Sequence, residues 1–179
     1  MQDSSTALQT AIVCLYIGAL LYAAYSDARR LEIANGVSIF IALLFLPAAW
    51  NSSLSTTDMA IHASVGLGML IAGIALFACG LMGGGDAKLM AAVAVWTGIE
   101  TLSVFLVVTA LAGAVVAVVA LTLNRIPANG TISRIFPWVG VGGGRQAPIP
   151  YGVAISVAAL FALWISPILP DVLRIEWVS

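Results

Sequence analysis

Two aspartates stand out because so little around them is charged. Asp86 closes on the run Gly83-Gly84-Gly85-Asp86-Ala87-Lys88, and Asp27 lies in Ser26-Asp27-Ala28-Arg29-Arg30-Leu31-Glu32-Ile33-Ala34-Asn35-Gly36. Of the 179 residues, 61% are hydrophobic and 8% charged, so an ionisable group inside an apolar segment is a functional candidate whose partner must be named. Each aspartate is the predicted partner of the other. Two carboxylates that share a site do not both ionise cheaply, so they hold one proton between them and titrate as a pair. Such a pair can hydrolyse an amide: the ionised member takes a proton from water while the protonated member polarises the scissile carbonyl. If Asp27 ends one helix and Asp86 begins another, the helix dipoles favour the proton on Asp27, by about 0.3–1 kcal/mol each. The three glycines predict a bare, strand-like backbone beside the carboxylate, where an extended peptide can lie.

The elements that must position these groups are apolar helices. A mean hydropathy of +1.08 and long uncharged runs place the chain among integral membrane proteins, as a single domain over residues 1–179. Uncharged runs cover 4–26, 33–57, 59–85, 89–99, 101–124 and 146–170. About 20 apolar residues cross a bilayer core, so all but 89–99 are long enough. Lys88 and Glu100 at the ends of that short run would let it span by snorkelling. Charge placement favours six crossings, because Arg29, Arg30, Lys88, Arg125, Arg134 and Arg145 then share one face and Arg174 alone lies opposite. The predicted fold is all-α: six transmembrane helices with a short fourth, both termini outside, and connections 27–35, 80–88 and 124–150 inside. Asp27 and Asp86 then fall on the same side of the membrane. The N-terminus carries Asp3 and no basic residue, so the first apolar run is expected to be retained as a span.

Each functional residue also has a plainer reading. Arg29 and Arg30 set orientation, and Asn35 is expected to cap the second helix. Asp86 is a first-turn acid at a helix N-terminus. Lys88 either tunes Asp86 or reaches lipid phosphates, and Tyr151 is either a site hydroxyl or an interfacial anchor. Glu32 is available to read a basic substrate segment, or is a solvated loop charge. Cys14 and Cys79 sit in apolar runs without a CxxC neighbour and behave as small hydrophobes. His62 stands alone in a span, so a packed or hydrogen-bonded histidine is expected rather than a metal ligand. Gly140, Gly142, Gly143 and Gly144 lack the strand and helix of a phosphate loop and suit a connector. A net charge of −1 offers no footprint for nucleic acid.

Asp27 with Arg30, Ile33 and Asn35, then Gly83-Gly84-Gly85-Asp86-Ala87-Lys88, then Pro150-Tyr151-Gly152-Val153-Ala154-Ile155, resemble in order and spacing the three motifs of the type IV prepilin peptidases, which are GxGD membrane aspartyl proteases. The resemblance implies an inner-membrane endopeptidase without metal or cofactor, removing the basic leader of prepilin or pseudopilin precursors at the cytoplasmic face. It puts the catalytic pair on Asp27 and Asp86 and substrate contacts on Gly83, Gly84, Gly85, Lys88, Asn35 and Tyr151. Where the family often has Ile-Pro-Asn, this chain reads Ile33-Ala34-Asn35. The large cytoplasmic domain of the long, methylating members is missing, so the chain is similar to the branch serving tight-adherence (Flp) pili. Two other classes fit the same residues. A small carrier would use both aspartates to bind protons or cations along a pathway, but predicts them near mid-membrane. An inactive pilus-assembly scaffold leaves the glycine run unexplained.

Overall fold

The structure is a computed structural model that describes residues 2–123, 125, 135, 136, 139, 149–166 and 168. The Gly-rich connector with Gly140, Gly142, Gly143 and Gly144, and the charge markers Arg134, Arg145 and Arg174, lie outside the described residues. Among the described residues, five helices follow in order: α1 (Gln2–Arg30), α2 (Asn35–Asn51), α3 (Thr56–Ala78), α4 (Gly84–Leu123) and α5 (Tyr151–Trp164). Three of them contain segments long and apolar enough to cross a membrane: Ser4–Arg30, Thr56–Ala78 and Gly84–Leu123. Large apolar side chains such as Leu15, Ile39, Leu67, Val115 and Phe161 are exposed around the bundle, the surface of a protein whose solvent is lipid. Cys14 and Cys79 are on that surface too, free and exposed rather than buried.

The expected fourth and fifth spans, 89–99 and 101–124, meet within α4. Its 40 residues form two helical arms joined directly at a kink at Gly98, where φ is 56° and ψ −164°. The break falls two residues before Glu100, because the position that yields is the one able to adopt positive φ. The helix also folds back there. Straight, the 27 residues between Asp86 and Gly113 would hold them about 40 Å apart, yet both line one cavity. Ala120 likewise clusters with Leu31, just past the end of α1.

An aromatic group holds this hairpin to its neighbours. Trp96 donates its indole N–H to the Ile41 carbonyl of α2 at 2.8 Å and packs on Tyr16 of α1, ring centroids 4.2 Å apart. His62 of α3 fills the break. Its Nδ1 is 2.7 Å from the Val95 carbonyl oxygen, its ring stacks on Phe45 at 5.0 Å, and a Cβ on Gly98 would meet that ring at 2.7–3.0 Å. Gly98→Ala therefore combines left-handed strain, about 1–3 kcal/mol, with a clash. The expected result is a lower thermal midpoint and less protein in the membrane. Adding His62→Ala relieves the clash alone and restores only part of the loss.

The remaining ends are set locally. Ser55 and Asp58 form a reciprocal cap on α3, Asp58 N–H to Ser55 Oγ at 3.1 Å and Ser55 O–H to Asp58 Oδ2 at 2.7 Å. At the far end of α1, Gln9 donates to Ser52 Oγ and the Ile168 carbonyl, tying the first two helices to the chain beyond α5. Ser156 donates to the Leu20 carbonyl at 3.0 Å, which fixes α5 against α1.

Candidate active site

Both aspartates come to one end of the bundle. Asp27 lies in the last turn but one of α1 and is 4% exposed. The chain leaves α1 through Leu31, whose φ of 55° is left-handed, a conformation that is strained by about 1–2 kcal/mol in a residue with Cβ. Ser26 holds this turn closed, its hydroxyl donating to the Glu32 carbonyl at 2.7 Å. The turn drops Ile33 into the bundle, against Gly85 and within reach of Gly152.

Asp27 is held by a helix to which it does not belong. Its Oδ2 accepts the Gly152 N–H at 2.6 Å, and the Val153 N–H is a second donor. These are first-turn amides of α5, which has Pro150 as N-cap and no side-chain cap of its own. Asp27 therefore supplies from 125 residues away what an N-cap side chain normally supplies locally. The approach depends on glycine: a Cβ at residue 152 would sit 2.8 Å from Asp27 Oδ2 and 2.9 Å from Asp27 Cβ.

Asp86 is the third residue of α4, half-buried, and reaches back to the Gly83 N–H. Gly83 also accepts the Ala87 N–H at 3.1 Å, so Gly83 and Asp86 close the N-terminus of α4 on itself, in the manner of a capping box. Gly84 and Gly85 are already helical. The expected strand-like glycine segment is thus corrected: these glycines admit the chain's own groups, Asp86 over Gly83, the Phe77 ring over Gly84 and Ile33 over Gly85.

Asp27 and Asp86 line a single cavity of about 480 Å³, open to the outside, together with Ser26, Arg30, Glu32, Asn35 and Gly85. They are close enough for the charge of Asp27 to act on Asp86. Asp27 ends α1, but its carboxyl group faces the N-terminus of α5 and accepts two amides, against one for Asp86. The two carboxyl groups are thus held at the N-termini of different helices, Asp27 at α5 and Asp86 at α4.

The other expected site residues divide. Asn35 does not cap α2; Ala34 occupies the N-cap position without a side-chain bond, and Asn35 Oδ1 accepts from Lys88 Nζ at 2.8 Å. Asn35 still lines the aspartate cavity, whereas Lys88 faces a separate apolar groove between α2 and α3. Tyr151 turns away from Asp27, packs on Gly113 and lines an apolar cavity that includes Asp86. The residue after it, Gly152, is the one that touches Asp27. Among the described residues, no three His, Cys, Asp or Glu side chains are grouped to hold a metal ion.

The described structure is thus an apolar helix bundle that brings two carboxyl groups into one polar cavity. A family model described as type IV leader peptidase family matches residues 14–118, a span that includes both aspartates, and the chain belongs to that family. Among curated proteins and among solved structures, nothing matches.

Proposed function

We infer that this chain is a membrane aspartyl endopeptidase that removes the leader from type IV prepilin or pseudopilin precursors, with Asp27 and Asp86 as its catalytic pair. The observation that carries the reading is the meeting of these two carboxyl groups in one open cavity. In the reaction, Asp27 takes a proton from water as the water oxygen attacks the scissile carbonyl carbon, and Asp86 gives its proton to the carbonyl oxygen. The resulting diol collapses as Asp27 gives its proton to the leaving nitrogen, Asp86 takes one from a diol hydroxyl and the C–N bond breaks, which returns the pair to its starting state with one proton. The chain crosses the inner membrane six times, the two arms of α4 counting separately. Both termini lie outside and the aspartates at the cytoplasmic side, in keeping with Arg29, Arg30 and Lys88 at the same end.

The test is cleavage of a tagged Flp-type prepilin in membranes that contain the chain, scored as a shift in precursor size. Cleavage that persists in excess chelator is expected. Abolition by the chelator would overturn the carboxylate-pair mechanism, and failure to cleave any pilin precursor would overturn the substrate.

A further inference from the structure

A groove of about 900 Å³ lies between α2 and α3, over the first arm of α4. Its floor is α4 at Ala87, Ala91 and Ala92, and its sides are Ile39 of α2 and Leu70 and Ile74 of α3. From Gly84 to Val95 the floor rises about 16 Å, close to half of the ~30 Å hydrocarbon core, which is the depth of one leaflet. There the groove closes. One turn deeper on each side, Phe45 of α2 stacks on His62 of α3 at 5.0 Å, and Gly66 of α3 leaves no room for a Cβ against Val95. The other end is polar. Lys88 lies there with its Nζ 2.8 Å from Asn35 Oδ1, and among the described residues no carboxylate pairs with it. The first turn of α2, at the same end, has Ala34 as N-cap and no side-chain cap. Ser38, one turn further in, lines the groove and is 5% exposed. Its hydroxyl has no hydrogen-bond partner among the described residues, although buried hydroxyls are normally paired.

We propose that this groove binds a phospholipid with an anionic headgroup, the phosphate held by Lys88, Asn35 and the N-terminus of α2, and an acyl chain lying along Ala87–Val95. The shape commits the occupant. A transmembrane helix is about 10 Å across and passes through both leaflets, whereas this groove is blocked at half depth; an acyl chain ends where the groove ends. Charge commits the headgroup. An ammonium without a carboxylate, beside uncapped helix amides, suits a phosphate, and the ester carbonyls just below that phosphate give Ser38 the acceptor it lacks. A free phosphate ion would use the polar end alone and leave the apolar floor uncovered. The site is distinct from the aspartate cavity, although Asn35 borders both, and it stands whether or not the chain cleaves prepilin.

Native mass spectrometry of the full chain, released from detergent micelles that contain phosphatidylglycerol and phosphatidylcholine with the same acyl chains, reads the lipid retained. The wild type is expected to retain phosphatidylglycerol about fivefold better, the effect of one lysine at a membrane surface. Lys88→Gln should bring the two lipids to parity, and Lys88→Arg should keep the preference. Both lipids meet the same preparation, so a misfolded fraction cancels in the ratio. Ala42→Leu and Ala42→Trp, which fill the groove from α2, should lose both lipids progressively. Phe40→Trp, exposed on α2 outside the groove, should bind as the wild type does. Equal retention by the wild type, or a preference that survives Lys88→Gln, overturns the headgroup half; full retention by Ala42→Trp overturns the groove. Displacement of the lipid by inorganic phosphate would assign the polar end to a free anion, and a dimer that Ala42→Trp dissociates would assign the groove to a second copy of the chain. Either result overturns the proposal.

Discussion

Asp86→Asn is expected to yield a folded, membrane-inserted protein that cleaves prepilin at least about 10²-fold more slowly, the lower bound for losing a positioned acid or base, and Asp27→Asn is expected to do the same. The structural environment makes these substitutions informative. Each aspartate also has a purely architectural role: Asp86 accepts the Gly83 N–H in the first turn of its own helix, and Asp27 accepts the first-turn amides of α5. Asparagine keeps an acceptor oxygen at either place and preserves much of the cap, which is worth about 1 kcal/mol, but it cannot take or hold the shared proton. A cap explanation therefore predicts near-normal cleavage in both variants, and the catalytic one predicts none. Stability separates the roles further. Asparagine at residue 86 is neutral, as the protonated Asp86 is, and it cannot repel the Asp27 carboxylate. The thermal midpoint of Asp86→Asn should accordingly equal or exceed that of the wild type while activity is lost, a trade-off common at active sites. Asp27→Ala leaves the Gly152 and Val153 amides without their acceptor and should melt lower than Asp27→Asn. Full cleavage by either Asn variant, at normal abundance, would remove that aspartate from the mechanism.

Which features could be read from residue types alone follows from what those types encode. The two aspartates were legible because a carboxylate in an apolar run is costly enough to need a reason, and the alternation of apolar runs with basic connections placed both at one end. The α4 hairpin was legible in outline from Glu100. Its true turning point is Gly98, since a helix breaks where the backbone can take positive φ and not where a polar side chain happens to be exposed. The seat of Asp27 was not legible. Its partners are backbone amides of Gly152 and Val153, 125 and more residues away, and an amide carries no signature of residue type. The Pro150-Tyr151-Gly152 motif marks the right turn, but the group that meets Asp27 there is the Gly152 backbone, which no side-chain chemistry announces. An asparagine just before an apolar run predicts a cap, its commonest use there. The left-handed turn at Leu31, which no glycine announces, places Ala34 at the cap and leaves the Asn35 amide for Lys88.

Gly152→Ala is expected to reduce cleavage nearly as far as Asp27→Asn, although it touches no ionisable group. The added methyl would lie 2.8 Å from Asp27 Oδ2, 2.9 Å from Asp27 Cβ and 2.8 Å from Ile33 Cδ1, so neither neighbour can yield without moving the other. Asp27 is fixed through α1, and α1 is fixed to α5 by the Ser156 hydroxyl on the Leu20 carbonyl. What gives is the 2.6 Å bond between Oδ2 and the Gly152 amide, and with it the placement of the carboxylate toward Asp86. A misplacement of about 1 Å is enough to cost about 10²-fold in rate. The lesion is geometric, so it should appear in kcat with KM little changed. A second substitution identifies the cause. Asp27 is too constrained to be remodelled, but Ile33→Ala removes the Cδ1 on the far side and gives the new methyl room; Gly152→Ala with Ile33→Ala should recover part of the activity that Gly152→Ala alone has lost. If Gly152→Ala cleaves like the wild type, the amide of α5 does not position Asp27, and the pairing of Asp27 with Asp86 must be set by α1 alone.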